Sequence, residues 1–581
     1  MDEKEIKETK VWTLYQKATD FARKKGFYSE IDKCNNFYNG DQWEGLMIEG
    51  IEPVQYNFIK PIVNYKVNRV TKNLRAINYS AENVEGTEFR VKAKKVCDLF
   101  NQRAARVWEK DQMDSKIKKL ARQAAIGGES VLYISYDEEN NDPLNEILNK
   151  VDIYFANEND PDIQSQSYII AKKRMSIDEA IRIAKDTYEV SDKKLEQIIG
   201  DDDTLEEAGN DAKEEVNNMV TVITKFYKEE GTVKYEVATR YVEFTKSAED
   251  SGMTLYPFCH FLWSEKEGSA RGEGEVRQLI PNQIETNKTA MRRLLTAKNT
   301  AYPQKIYNKD KIVNPEAINI VGGVIEAEGM EVDDVRKAFS VTQPAQMSPD
   351  VEKLQQELIS TTRELASASD TATGQVNPED ASGRAILAVQ QASEQPLDEQ
   401  NLALNTFIED IARVWLDIWK TYNDKGMKME DVTTDPISGD ESIKVVDVPK
   451  STLDKLKTTV KIDITPKGAF DKYAQEISLE NLAKSEFFMN TSWLEDYIDL
   501  LDNDSVMPKL KLEDLVKKRK EAQARIQAVQ QQANILQTRV NQLMQSGEIL
   551  PKEMAQYMGA NGQPNPEMME QPMGEPGGEP M

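Results

Sequence analysis

The chain has 581 residues, 39% hydrophobic and 30% charged, with three cysteines, one histidine and a formal net charge of −26. That size predicts three to four domains with real cores under a heavily solvated surface, and the acidity argues against broad wrapping of nucleic acid, which needs clustered Lys and Arg. Cys34, Cys97 and Cys259 are too few and too scattered for a disulfide framework or a thiolate metal site, and with Met1 to Lys10 charged and no long apolar run, neither a signal peptide nor a membrane span is expected.

Residues 9–38 carry an amphipathic helical pattern that ends in Phe37-Tyr38-Asn39-Gly40-Asp41-Gln42-Trp43, a turn flanked by aromatics. Ile59, Ile62, Lys66, Val70 and Leu74 predict a second helix with Asn57 as its cap, and two more are expected at 88–111 and 114–126, the last stopped by Gly127-Gly128. Ser130 to Tyr136, Val151 to Phe155 and Tyr168 to Lys172 then switch to β-branched and aromatic runs. Ser176-Ile-Asp-Glu179 is a capping box opening a short helix, and residues 200–215 form an acidic, solvated loop. Strands are expected again at Met219 to Lys228, Thr232 to Ala238, Arg240 to Thr245 and Phe258 to Trp263, which makes the part before residue 270 an α+β unit.

Gly268 to Gly274 lacks both the Gly-Lys-Ser/Thr ending of a P-loop and the third glycine of a dinucleotide fingerprint, so it reads as a flexible hinge. It leads into a helix striped by Val276, Ile280, Ile284, Asn287, Met291, Leu294 and Lys298, where Pro281 is tolerable only as a kink or near the start. Lys288, Arg292 and Arg293 lie off the stripe on a solvated or intersubunit face. Tyr302-Pro303 ends that helix, and short strands follow at Gln304 to Tyr307, Ile318 to Val321, Val324 to Ile325 and Ala338 to Thr342, a small β unit inserted between helices. Val351, Leu354, Leu358 and Leu365 mark one face of the next helix. The stretch Thr371 to Asp380 has almost nothing to bury and reads as an exposed loop. Asp380 or Ser382 can cap a helix from 382 to 422, roughly 60 Å long, kinked at Pro396 and burying Trp415 and Trp419.

Beyond Tyr422 a polar loop precedes strands at Ile443 to Val448 and Thr459 to Thr465 and short helices at Ser478 to Ser485 and Ser492 to Leu501. From Leu512 to Met544 the spacing of three and four repeats as a heptad seam, weakened at Arg519 and Ala522, and residues 559–581 are an aperiodic Gly, Pro, Met and Glu mix expected to be disordered.

No enzyme motif emerges. His260 is the one histidine, so a two-histidine metal site is impossible and a Ser-His-Asp triad would rest on a strand residue that reads better as packed; no carboxylate stands in a setting that marks a metal ligand or general acid. No catalytic, metal or cofactor residue is therefore predicted.

The ordered signals resemble the portal proteins of tailed bacteriophages, the head-to-tail connectors. The residues that carry the likeness are Tyr38-Asn-Gly-Asp-Gln-Trp43, the Asn57 to Asn64 helix start, Gly272-Glu-Gly274 with Leu279, Gln283 and Asn287, and Ser382-Gly-Arg-Ala385 opening the Pro-kinked helix that ends Val414-Trp-Leu-Asp-Ile-Trp419. The resemblance implies a mostly helical α+β, portal-type fold with wing, stem, clip and crown. On this chain those regions are a wing at 1–270, a first stem helix at 271–301, a clip at 302–350, a second stem helix at 351–370, a tunnel loop at 371–381, a long wing helix at 382–422, a wing and crown base at 423–505, a heptad-patterned crown at 506–546 and a tail at 547–581.

The resemblance also implies a ring, typically of twelve subunits, at one capsid vertex of the virion, assembled in the host cytoplasm. Double-stranded DNA would pass through it, and the terminase, tail adaptor and major capsid protein would be its partners. Asp370, Gly374, Gln375, Asn377, Glu379 and Asp380 would lie at the bore, and Lys305, Lys309 and Lys311 are candidate clip contacts. An acidic lumen would repel phosphates and favour sliding over sticking, an effect confined by screening to residues within roughly 8 Å of the DNA. Two other classes compete. A packaging motor enzyme needs a Walker lysine loop, which is absent; a coiled-coil scaffold or adaptor explains the heptads but not the α+β segment or the inserted β unit.

Overall fold

The computed structural model describes residues 7–43, 53–81, 87–201, 218–301, 304–320, 322–329, 331, 339–341, 348–368, 395–423, 426–434, 441–456, 458–465 and 509–545. The chain divides into two units, residues 1–430 with 445–467, and residues 431–444 with 468–581.

The first amphipathic stretch is two helices rather than one. Thr9 caps α1 (Lys10–Lys24) by accepting from the Trp12 amide at 3.3 Å, and Gly26, at φ +71°, breaks the path before α2 (Phe27–Asn39). A residue in the left-handed region ends a helix at little cost only when it lacks a Cβ. Asn57 caps α3 (Ile59–Val70) as predicted, its Oδ1 accepting from the Lys60 amide at 3.2 Å. Leu74, read as the end of that helix, instead opens β1 (Leu74–Ala81), because Arg75 donates to the carbonyls of Val70 and Asn73 and closes the helix end. The helices α4 (Thr87–Lys110) and α5 (Met113–Gly127) follow, and α5 stops where the Gly128 amide, at φ +96°, donates back to Ala124.

Two antiparallel sheets come next. The first has the order β3 (Asp142–Leu148), β2 (Glu129–Asp137), β9 (Phe258–Leu262). The second runs β4 (Ile153–Phe155), β5 (Tyr168–Ser176), β6 (Met219–Glu229), β7 (Thr232–Ala238), β8 (Glu249–Asp250), with α6 (Ile177–Asp186) and α7 (Asp192–Leu195) between β5 and β6. Sequence reading misses β3 because its alternation is inverted: Pro143 and Asn145 point inward while Leu144 is 49% exposed. The strand expected at 240–245 is a loop, folded by Thr239 Oγ1 accepting from the Val242 amide at 3.2 Å and touching the sheet at one bridge, Ala238 to Glu243. Most of the acidic loop expected at 200–215 lies outside the described residues.

The remaining elements are α8 (Glu275–Ala301), β10 (Lys305–Tyr307), β11 (Phe339–Val341), α9 (Pro349–Leu365), α10 (Asp398–Tyr422), β12 (Met427–Thr434), β13 (Glu441–Val448), α11 (Lys450–Lys455), β14 (Thr458–Thr465) and α12 (Lys509–Gln545). Of residues 318–321, expected as strand, Ile318 and Asn319 fall in a 3-10 turn, Pro315–Asn319, where Pro315 holds the first position, and residue 321 lies outside the described residues. Pro396 lies in a 3-10 turn, Gln395–Leu397, that runs into α10. Residues 382–394, both short helices expected between 478 and 501, and the tail from 546 lie outside the described residues.

The main core is organised by α10. Leu404, Phe407, Ile408, Ile411, Trp415, Ile418 and Trp419 are all buried along it. Phe407 meets Phe261 of β9 at 5.5 Å between ring centroids, Trp419 stacks on Phe100 of α4 at 5.5 Å, and the Tyr79 hydroxyl donates to the Ala412 carbonyl at 2.8 Å. β14 returns to pair antiparallel with β1, Leu74 opposite Thr465 through Ala81 opposite Thr458, closing the core with chain distant in sequence. The two predicted tryptophans differ in one respect: Trp415 Nε1 donates to the buried Asn145 Oδ1 at 2.9 Å, whereas Trp419 Nε1 has no hydrogen-bond partner among the described residues. Trp415→Phe is therefore expected to destabilise by about 1–3 kcal/mol more than Trp419→Phe, because only the former strands a buried acceptor; denaturant unfolding of both variants measures the difference.

Candidate functional site

The functional candidate is the pair of helices that leaves the main core, α8 and α9, with the junction that roots it. Arg271 stands just before α8, its side chain 13% exposed, with Nη1 2.7 Å from Glu129 Oε1, Nε 2.9 Å from Glu158 Oε2 and Nη2 donating to the Ile153 carbonyl at 3.0 Å. His260 Nε2 lies 2.9 Å from the other Glu129 oxygen. Burial alone would raise the Glu129 carboxyl, but Arg271 and His260 outweigh it and hold it at about 2. The same carboxylates keep Arg271 above its ordinary value against the opposing effect of burial. At the first turn of α8 a second buried pair forms, Lys66 Nζ to Glu275 Oε1 at 2.6 Å.

The glycines between these ion pairs are a crossing rather than a hinge. A Cβ on Gly272 would come 2.5 Å from the Gly128 carbonyl oxygen, and one on Gly274 would come 2.7 Å from that of Ile126. Backbone therefore lies on backbone where α5 ends and α8 begins, an approach closed to any side chain. The helix predicted from Arg271 accordingly starts at Glu275.

Further along, α8 is held by amides. Gln283, fully buried, accepts from the Phe58 amide at 3.2 Å and donates to the Tyr56 carbonyl at 2.8 Å; Asn287 donates to Gln42 Oε1 at 2.6 Å. Asn57 Nδ2 donates to the Tyr38 carbonyl at 3.0 Å, and the Tyr38 hydroxyl donates to Asn64 Oδ1 at 2.9 Å. The separate motifs at 38–43, 57–64 and 283–287 thus form one polar network, in which each buried group is satisfied by another motif.

Beyond Met291, α8 is half-buried or exposed, and α9 packs on it antiparallel. That contact is polar: Asn282 Nδ2 to Thr362 Oγ1 at 2.9 Å and Arg293 Nη1 to Gln355 Oε1 at 2.7 Å, with Glu352 3.2 Å from Arg293 Nη2. Gln355 and Thr362 are buried, while Leu354 and Leu365, placed by periodicity on one face of the helix, are 46% and 72% exposed. Arg293 is spent on α9, whereas among the described residues Lys288 and Arg292 pair with Glu285 on their own helix. The inserted unit has a core of Ile312 and Ile318 under a ribbon of β10 and β11, and Ile306, Val313, Ile320, Val324 and Val341 are exposed around it. Lys305 Nζ donates to the Ile318 carbonyl, Lys309 is exposed and Lys311 is half-buried. Asp370, Gly374, Gln375, Asn377, Glu379 and Asp380 lie outside the described residues.

With this geometry in place, the comparison with known families is decisive. The sequence matches the family model described as "Phage P22-like portal protein" over residues 14–254 and 239–560. The chain belongs to this portal family. No curated protein sequence matches it. Portal proteins are structural head–tail connectors, and among the described residues no group of His, Cys, Asp or Glu is arranged to hold a metal ion and no helix is long and apolar enough to cross a membrane. The portal chain's buried carboxylates and amides therefore have a structural reading: they fix how α8 leaves the core. Sequence reading missed Glu129, Glu158, Arg271, Lys66 and Glu275 as a set because they are far apart in the chain. The one available signal was a charged residue at the head of an apolar strand, Glu129 before Ser130 to Tyr136.

Glu129→Gln is expected to cost about 3–5 kcal/mol at neutral pH, since it leaves a buried guanidinium short of its counter-charge. Because the folded Glu129 is held below its ordinary value, its contribution is complete above about pH 4.5 and is lost as pH falls toward about 2. Melting curves at pH 7 and pH 3 check the sign: wild type loses more stability on acidification than Glu129→Gln does.

Proposed function

We propose that copies of this portal chain close into a ring of twelve at one capsid vertex, and that double-stranded DNA is packaged and ejected through the centre. The observation that carries the reading is α9, whose intrachain contact is made by Gln355 and Thr362 while Leu354 and Leu365 face outward. A helix that presents leucine to solvent and buries glutamine is completed by a neighbour, and a head-to-tail contact between different faces closes into a ring when its rotation permits. The outward Ile526, Val529 and Leu536 of α12 and the apolar rim of the inserted unit support the same conclusion.

In this reading α8 and α9 are the stem, residues 302–350 the clip, 371–381 the tunnel loop, 382–422 the long wing helix and α12 part of the crown. Asp370, Glu379 and Asp380 line the bore with negative charge, Gly374 lets the loop turn, and Gln375 and Asn377 form its tip. Twelve copies of a chain at −26 make a conduit that repels phosphate wherever carboxylates reach the lumen. The terminase and the tail adaptor dock at the clip, where Lys309 and Lys311 are the candidate contacts and Lys305 is partly committed to its own turn, and the major capsid protein surrounds the ring.

Native mass measurement and negative-stain images of the full chain test this. Wild type is expected as a closed ring of many copies, and Leu354→Glu with Leu365→Glu as single copies with an unchanged melting midpoint. A wild type that stays single at every concentration, or a doubly substituted chain that still forms rings, would overturn the reading.

A further inference from the structure

Arg75 is a buried cation whose charge no carboxylate among the described residues balances. It is 8% exposed, and its guanidinium donates to Asn405 Oδ1 at 2.7 Å, Val70 O at 2.9 Å, Asn73 O at 3.3 Å and Asn401 Oδ1 at 3.4 Å. All four acceptors are neutral, and no carboxylate among the described residues pairs with it. The carbonyl end of α3, to which Val70 belongs, offsets about half a charge at most. Burial without a counter-ion pushes the guanidinium down to about 10. Buried cations are ordinarily paired with a counter-charge, so an uncompensated one marks a place where a charge of opposite sign is missing.

The surroundings fit that description. Arg75 lines a cavity of about 370 Å³ together with Lys72, Lys118, Asn68, Asn73 and Trp108. The one carboxylate in its wall, Asp114, already accepts from Trp108 Nε1 at 2.9 Å, and Lys118 has no ion pair among the described residues. Two lysines, a guanidinium and two side-chain amides around a small open cavity are the donors that a tetrahedral oxyanion requires.

We propose that this cavity binds a phosphate-type oxyanion, with Arg75 at its floor and Lys72 and Lys118 at its mouth. The ligand is a free phosphate or one phosphodiester of a nucleic-acid backbone, which present the same oxygens. The site goes beyond the ring reading and does not depend on it, since binding is read on the full chain whatever its oligomeric state.

The test replaces chloride by inorganic phosphate at constant ionic strength and follows heat of binding and melting midpoint. Wild type is expected to bind and to melt higher with phosphate, Lys118→Glu, an exposed substitution, to lose affinity at least tenfold, and Arg75→Gln, where it folds, to lose binding altogether. Competition by a short DNA duplex assigns the ligand to the backbone phosphodiester, and its absence assigns it to the free anion. No binding by wild type, or equal binding by Lys118→Glu, overturns the proposal even if rings form normally.

Discussion

A guanidinium taken out of water must be met by carboxylates, and in this chain that requirement draws three distant segments to one point. Arg271 comes from the loop before α8, Glu129 from the head of β2 and Glu158 from beyond β4. Glu129 could not be buried, nor Arg271 and Glu158 drawn partly out of water, without one another, because the desolvation of each is offset by its partner. Once they meet, the start of α8 is fixed against the end of α5, and the Gly272 and Gly128 backbones are left too close for any side chain between them. The direction in which the long helix leaves the core follows from there.

The amide network extends this control along the helix. Gln283 and Asn287 carry bonds to Tyr56, Phe58 and Gln42, so the first four turns of α8 are held by groups with directional geometry rather than by apolar contact alone. Past Met291 that hold ends, and α9 is the partner that remains. The helix pair is thus anchored at one end by directional hydrogen bonds, while past Met291 the residues of α8 are half-buried or exposed.

Polar and apolar residues exchange their usual places at that surface. In the main core the rule of inward hydrophobics holds along α10, where Phe407, Ile411, Trp415 and Trp419 are buried against β9, β1 and α4. In α9 the inward residues are Gln355 and Thr362, and the leucines are outward. The same helical period describes both helices, but it reports only that apolar residues share a face, not what that face meets.

That distinction separates what was legible from what was not. Sequence by itself determined most helices and most strands, the stops at Gly40 and Gly128, the burial of Trp415 and Trp419, and the order of motifs that carries the portal resemblance, because each is a local property of propensity, period or turn chemistry. It erred where local signals were inverted or silent: the break at Gly26 inside the first amphipathic stretch, β3 with its inward Asn145, β12 in what read as a polar loop, and the 3-10 turn at Pro315. Tertiary structure alone decided the pairing of β1 with β14, the meeting of Arg271 with Glu129 and Glu158, and the joining of residues 38–43 to residues 283–287, since each depends on groups hundreds or scores of positions apart whose affinity for one another exists only after water has been removed from between them.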